Sequence, residues 1–205
     1  MSEVSISRKE GIEREGQTHS TAALKTFVKE VTLISKPLIL DLGCICDSNI
    51  EFFTHIGCRV FVKDLLNANA RAWTDSGGTE EISVDEVQIN FEYPENFFDG
   101  ILLWDIFDHF DFREAQLLLN NARRILKERG WALALFRPAS PTPLNIITRY
   151  RIISLNEIRY ETLPLITQRH KIYSNRDIAD LFSNNFSSYS SHLPKNRWRE
   201  VIVRK

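Results

Sequence analysis

The stretch LILDLGCICDSNIEFFTHIGCRVFVKD, from Leu38 to Asp64, decides the fold. An apolar run, Leu38-Ile39-Leu40, reaches Asp41 and Gly43 and gives way to the polar Asp47-Ser48-Asn49. Ile50, Phe53 and Ile56 then recur at helical spacing, Gly57 stops the helix, and a second apolar run, Val60-Phe61-Val62, ends at Lys63-Asp64. Strand, turn, helix, turn, strand is the βαβ unit, since parallel strands need a crossover of about this length. Its first loop carries a glycine and its second strand ends on an acid. A glycine lets backbone approach a ligand closely, a helix N-terminus offers unbonded N–H groups, and a carboxylate accepts from ribose hydroxyls. The unit has the plan of a nucleoside-binding site.

Upstream, residues 1–17 are charged, glycine-punctuated and aperiodic, so a flexible tail is expected over 1–19, ahead of one domain at 20–205. Leu24, Phe27, Val28, Val31 and Ile34 predict an amphipathic helix over about 20–35. Downstream, Leu65 to Trp73 reads as a helix closed by Asp75-Ser76-Gly77-Gly78, and a third strand is expected near Glu86 to Ile89. Ile101 to Trp104 has the continuous apolar character of a strand covered on both faces. Asp111 and Glu114 stand at capping-box spacing before a helix through Phe112, Ala115, Leu118, Leu119, Ala122 and Leu126. Arg123, Arg124 and Lys127 suit the end of that helix and Gly130 its stop, with Trp131 to Phe136 as the next strand.

Residues 137–172 read as an irregular basic insertion. They hold Pro138, Pro141, Pro143 and Pro164, the basic Arg137, Arg149, Arg151, Arg159, Arg169 and Lys171, and the acids Glu157 and Glu161. Such a segment is either a lid or partner surface over the sheet or a solvated excursion. A second capping-box spacing, Ser174 and Asp177, opens a last helix; Phe186 to Leu193 and Trp198 to Val203 read as a closing hairpin.

The 205 residues suffice for one buried core. Basic residues number 26 and acidic ones 27, so no global field favours nucleic acid or a membrane. No apolar run reaches the length of a membrane span, and the N-terminus lacks the apolar segment of a signal peptide, so a cytoplasmic place is expected. Cys44, Cys46 and Cys58 are too few and too clustered for a disulfide framework. The C-x-C of Cys44 and Cys46 lacks two further ligands, and no metal site is expected.

The stretch Asp41 to Asp64 resembles the first motif of the class I S-adenosylmethionine-dependent methyltransferases, an apolar strand followed by D-x-G-x-G-x-G with an acid closing the second strand. Asp41, Gly43 and Asp64 match three positions of it, whereas Ile45 and Asp47 stand where the second and third glycines would be. Phe97-Phe98-Asp99 leading into Ile101 to Asp105 is similar to the family's fourth strand, and Arg123 to Gly130 to the turn before its fifth. The resemblance implies a three-layer α/β/α Rossmann-like sandwich with a seven-stranded, mostly parallel sheet whose last strand is antiparallel. It implies S-adenosylmethionine as cofactor, with Asp41, Gly43 and Cys44 at the methionine end and Ile45 and Leu65 beside them. Asp64 would hold the ribose, Gln88 would lie near the adenine, and Asp105 would sit where the methyl group meets its acceptor. Asp105 and His109, in the acid-rich run Asp105 to Asp111, are the candidates for acceptor-side chemistry, against a reading of His109 as ordinary surface. Ile45 brings a branched side chain where the motif has bare backbone, and Asp47 a charge near the donor's carboxylate. Two readings stand: a methyltransferase acting on a small-molecule or protein acceptor, and a catalytically inactive methyltransferase-like module that works as a binding or interaction protein.

Overall fold

The structure, a computed structural model, describes residues 17–66, 91–138, 146–164, 171–193 and 198–205. In chain order its strands are β1 (Gln17–Ser20), β2 (Leu38–Asp41), β3 (Arg59–Val62), β4 (Phe98–Trp104), β5 (Leu126–Phe136), β6 (Ile146–Ser154), β7 (Glu157–Pro164), β8 (Ser188–His192) and β9 (Arg199–Arg204). Its helices are α1 (Ala23–Val31), α2 (Asp47–His55), α3 (Phe112–Ile125) and α4 (Asn175–Phe182), with a 3-10 turn at Ile106–His109.

The central sheet runs β3-β2-β4-β5-β9-β8. Strands β3, β2, β4 and β5 are mutually parallel, and β9 lies antiparallel between β5 and β8. This is the expected Rossmann-like α/β architecture with its closing antiparallel hairpin. The strand expected near Glu86 to Ile89, and the helix and loop expected over 67–78, lie outside the described residues.

Two apolar cores flank the sheet. On one face Leu40, Ile101, Leu103, Leu118, Leu181 and Phe182 join α3 and α4 to the strands. On the other Phe27, Ile39, Phe53, Leu102, Trp104 and Leu133 pack under α1 and α2. Strand β4 supplies both faces, and all seven of its residues are buried, which is why its sequence shows no alternation. Both capping boxes form: Asp111 Oδ1 accepts from Glu114 N at 2.8 Å, and Ser174 Oγ accepts from Asp177 N at 3.2 Å.

Three expectations need correction. Helix α1 stops at Val31, short of Ile34, because the Thr32 hydroxyl donates to the carbonyls of Val28 (2.8 Å) and Lys29 (3.1 Å) and closes the last turn. Helix α3 ends at Ile125 and passes directly into β5, and Arg129 rather than Gly130 takes the left-handed conformation. The segment 137–172 is not irregular throughout: β6 and β7 form an antiparallel hairpin turning at Leu155-Asn156. Tyr150, Ile152 and Ile158 face inward while Arg151, Ile153 and Arg159 face solvent, a period-two pattern masked in the sequence by neighbouring prolines.

The expected tail contributes as well, since Gln17–Ser20 adds as β1 to the free edge of β7, giving a three-stranded sheet β1-β7-β6. Its anchor is the buried Glu200 of β9. One carboxylate oxygen accepts from His19 Nε2 at 2.7 Å, and the other from the amides of Ala22 (3.0 Å) and Ala23 (2.9 Å). Ala22 has no side chain to cap α1, so Glu200 caps it from another strand.

Candidate functional site

The C-terminal ends of parallel β-strands, where the chain reverses between layers, are where α/β folds place their ligands. Here β2 ends at Asp41, β3 leads to Asp64, β4 to Asp105 and β5 to Arg137. The fold thus brings together residues spread over nearly a hundred positions of sequence.

Asp41 is buried at the head of the loop before α2. Its Oδ1 accepts from Gly43 N at 2.9 Å and from the indole Nε1–H of Trp104 at 2.6 Å. Burial outweighs those bonds and pushes the carboxyl up from 3.8 to about 6. Cys44 is buried, and desolvation first, then the charges of Asp64 and Asp105, push its thiol up to about 12. It is a packing residue rather than a nucleophile. Cys46 and Cys58 are also reduced and buried. No group of three or more His, Cys, Asp or Glu among the described residues is placed to hold a metal.

The two departures from the glycine motif have a structural reading. Ile45 is 57% exposed, and its backbone is not among the left-handed positions, which among the described residues fall at Lys36, Asn96, Trp104, Arg129 and Gly57. The loop is therefore built without the positive φ that a glycine would supply. Asp47 is the exposed first residue of α2, where an acid suits the helix dipole. Asp64 stands half-buried beside this loop and accepts a long bond, 3.4 Å, from Ile45 N. The side chain of Leu65 is wholly inside the core, so only its backbone is available to a ligand. Gln88 lies outside the described residues.

On the far side of the site Asp105 and His109 meet through Arg137, the first residue of the expected basic insertion. Arg137 Nε lies 3.0 Å from Asp105 Oδ2 and 3.5 Å from Asp108 Oδ2, and its side chain is 7% exposed. Its backbone N–H donates to Asp108 at 2.9 Å. An Arg137 terminal nitrogen sits 3.1 Å from His109 Nε2; guanidinium only donates, so Nε2 accepts and the ring proton is on Nδ1. His109 is buried, which corrects its reading as ordinary surface. Burial and the neighbouring Asp105 hold the Asp108 carboxyl well above the usual range, with Arg137 opposing them. Two buried aspartates, Asp105 and Asp108, flanking one short turn need a cation nearby, and that was the signal for Arg137.

Four further residues frame the site. Trp104 ends β4 and stacks on Tyr150 of β6, centroids 4.9 Å apart and planes 7° apart. Asn49 of α2 donates to Tyr150 O at 2.9 Å and accepts from Ile152 N at 2.8 Å, tying the hairpin to the helix after the glycine loop. Tyr150 and Thr148 are both 3% exposed, and the buried Tyr150 hydroxyl lies near Thr148, Asp105 and Arg137.

Residues 40–134 match the family model described as a methyltransferase domain. No curated protein matches the chain. Among solved structures, a S-adenosylmethionine-dependent methyltransferase from Methanosarcina mazei aligns with a TM-score of 0.52 at 11% identity, over 87% of this chain and 96% of its own. A Pyrococcus horikoshii protein aligns at 0.54 and 13% identity, over 89% and 87% of the two chains. The Burkholderia thailandensis 1,6-didemethyltoxoflavin-N1-methyltransferase, solved with 1,6-didemethyltoxoflavin and S-adenosylhomocysteine, aligns at 0.50 and 18% identity, over 90% and 78%. At such identities the likeness establishes the fold.

Proposed function

We propose that this chain, whose residues 40–134 are similar to a methyltransferase domain, is an S-adenosylmethionine-dependent enzyme that methylates a small polar molecule. The observation that carries the reading is the half-buried Asp64 carboxylate beside the Gly43–Cys46 loop, at the edge where β2, β3 and β4 end. A ribose offers two hydroxyls to such an acceptor, and Gln88 is assigned to the adenine side. Asp41, Gly43 and the backbone of Cys44, Ile45 and Leu65 complete the donor side.

Fit differs between the two ends of the cofactor. Asp64 suits the ribose. At the methionine end the surface that Gly43 leaves bare is covered by Trp104, so the donor's tail does not fit while the indole stays there. A Cβ on Gly43 would lie 2.4 Å from Trp104 Cδ1.

The acceptor side supports a small molecule. Asp105, Asp108 and His109, with Thr148 and Tyr150 of the hairpin, are buried rather than displayed on an open face. Methyl transfer asks a protein mainly for positioning, and Arg137 locks Asp105 and His109 in place, which suits orientation of an acceptor. The balance of 26 basic and 27 acidic residues argues against nucleic acid. Three reduced cysteines favour the cytoplasm, and no helix among the described residues is long and apolar enough to cross a membrane.

Calorimetry with S-adenosylhomocysteine tests the donor site. Hydrogen bonds to a charged group contribute about 1.5–3 kcal/mol, so Asp64→Ala should weaken binding by roughly tenfold to a hundredfold. Unchanged affinity would put the ligand elsewhere.

A further inference from the structure

The motif's first glycine is present, yet the close approach it allows is used by the chain itself. A Cβ on Gly43 would meet Trp104 Cδ1 at 2.4 Å and Nε1 at 2.8 Å. The same carboxylate oxygen of Asp41 that receives the Gly43 amide receives the Trp104 indole N–H. Trp104 reaches this position through two irregularities. The β4–β5 register shifts between Leu102 and Trp104, and a shift of this kind re-aims a side chain. Its backbone also sits at φ +47°, a left-handed conformation that is an outlier for a bulky residue and persists only where its surroundings impose it. The surroundings are the Tyr150 ring stacked on the indole and the pair of Asn49 bonds that hold Tyr150 and Ile152 against α2. Tyr150 also packs edge-on to Trp198 at 6.0 Å, so the hairpin is held to the residue before β9 as well as to α2.

Resting on the donor-site reading above, we infer that Trp104 is a gate: its indole fills the methionine half of the donor site, the β6–β7 hairpin holds it there through Tyr150, and donor binding displaces it. The chemistry favours the exchange. Asp41 is a buried carboxylate whose present partners are neutral N–H groups, and the donor's ammonium would bring the charge that burial withholds. A site that is closed about nine-tenths of the time reduces apparent affinity by roughly tenfold.

The test uses the full chain with indole-15N tryptophan and S-adenosylhomocysteine as probe. Trp104 is assigned among the four tryptophans by the signal lost in Trp104→Phe. In wild type, binding should shift the Trp104 indole signal and speed its hydrogen exchange, with Trp198 following and Trp131 unmoved. In calorimetry Trp104→Leu should bind roughly tenfold more tightly than wild type, the closed-state penalty being removed. Probe bound to wild type with the Trp104 signal unchanged would overturn the gate and leave the donor site standing. So would a folded Trp104→Leu that binds no better than wild type. No binding by either protein would overturn the donor-site reading and the gate with it. Should Trp104→Leu fail to fold, the wild-type titration decides alone.

Discussion

Replacing Asp41 with asparagine should stabilise the protein at alkaline pH, although it removes a charge that accepts hydrogen bonds. The Asp41 carboxyl is raised from 3.8 to about 6, chiefly by burial. A raised acid contributes most below its unfolded value, where it is protonated in both states, and that contribution is lost as pH rises through about 6. Roughly two pKa units at about 1.4 kcal/mol each make the buried charge cost about 3 kcal/mol at pH 8. Asparagine keeps an oxygen for the Gly43 amide and the Trp104 indole, but its NH2 group cannot accept from the Asn49 side chain, which also bonds Asp41, and this sacrifices about 1 kcal/mol. The net expectation is a gain of roughly 2 kcal/mol at pH 8, shrinking towards zero or reversing near pH 4. Urea denaturation of both proteins across that range measures it. A variant less stable at pH 8, or a gap independent of pH, would refute the claim that Asp41 is held charged against the preference of its surroundings.

Two other substitutions test the frame around the site. Glu200→Ala should destabilise by about 3–5 kcal/mol in chemical denaturation, because it strips both the α1 cap and the His19 partner from a buried position; the Glu200 carboxyl is held below its ordinary range despite its burial, so wild-type stability should also decline in acid as pH falls through that depressed value. Gly100→Ala should cost about 1–3 kcal/mol by overpacking, since the added carbon would lie 2.7 Å from Phe27 Cζ and 2.8 Å from Ile39 Cδ1; a neutral melting temperature would show that α1 can shift.

The βαβ unit was legible because each of its steps has a local cause: apolar runs for β2 and β3, helical spacing for α2, and Gly57, at φ +88°, for the turn between them. The caps at Asp111 and Ser174 were legible for the same reason. The β6–β7 hairpin was not, because four prolines and a cluster of arginines dominate its neighbourhood, while its inward side chains acquire meaning only once α2 and β9 supply a surface. Within the site, the glycine after β2 and the acid after β3 stood out in the βαβ pattern, and the resemblance to the methyltransferase motif implied roles for Asp41, Gly43 and Asp64. That Gly43 is faced by Trp104 could not, since a tryptophan closing an apolar run reads as core strand. Nor could the lock of Asp105 and His109 on Arg137, a contact between residues about thirty positions apart that only the pairing of β4 with β5 creates.

A crystal structure of the full chain grown with S-adenosylhomocysteine tests the central claim most directly. The account expects the ribose hydroxyls within hydrogen-bonding distance of the Asp64 carboxylate, with the Trp104 indole lifted from Gly43 and its bond to Asp41 broken. Ligand bound away from Asp64, or a site that stays empty at saturating ligand with Trp104 still on Asp41, would contradict it.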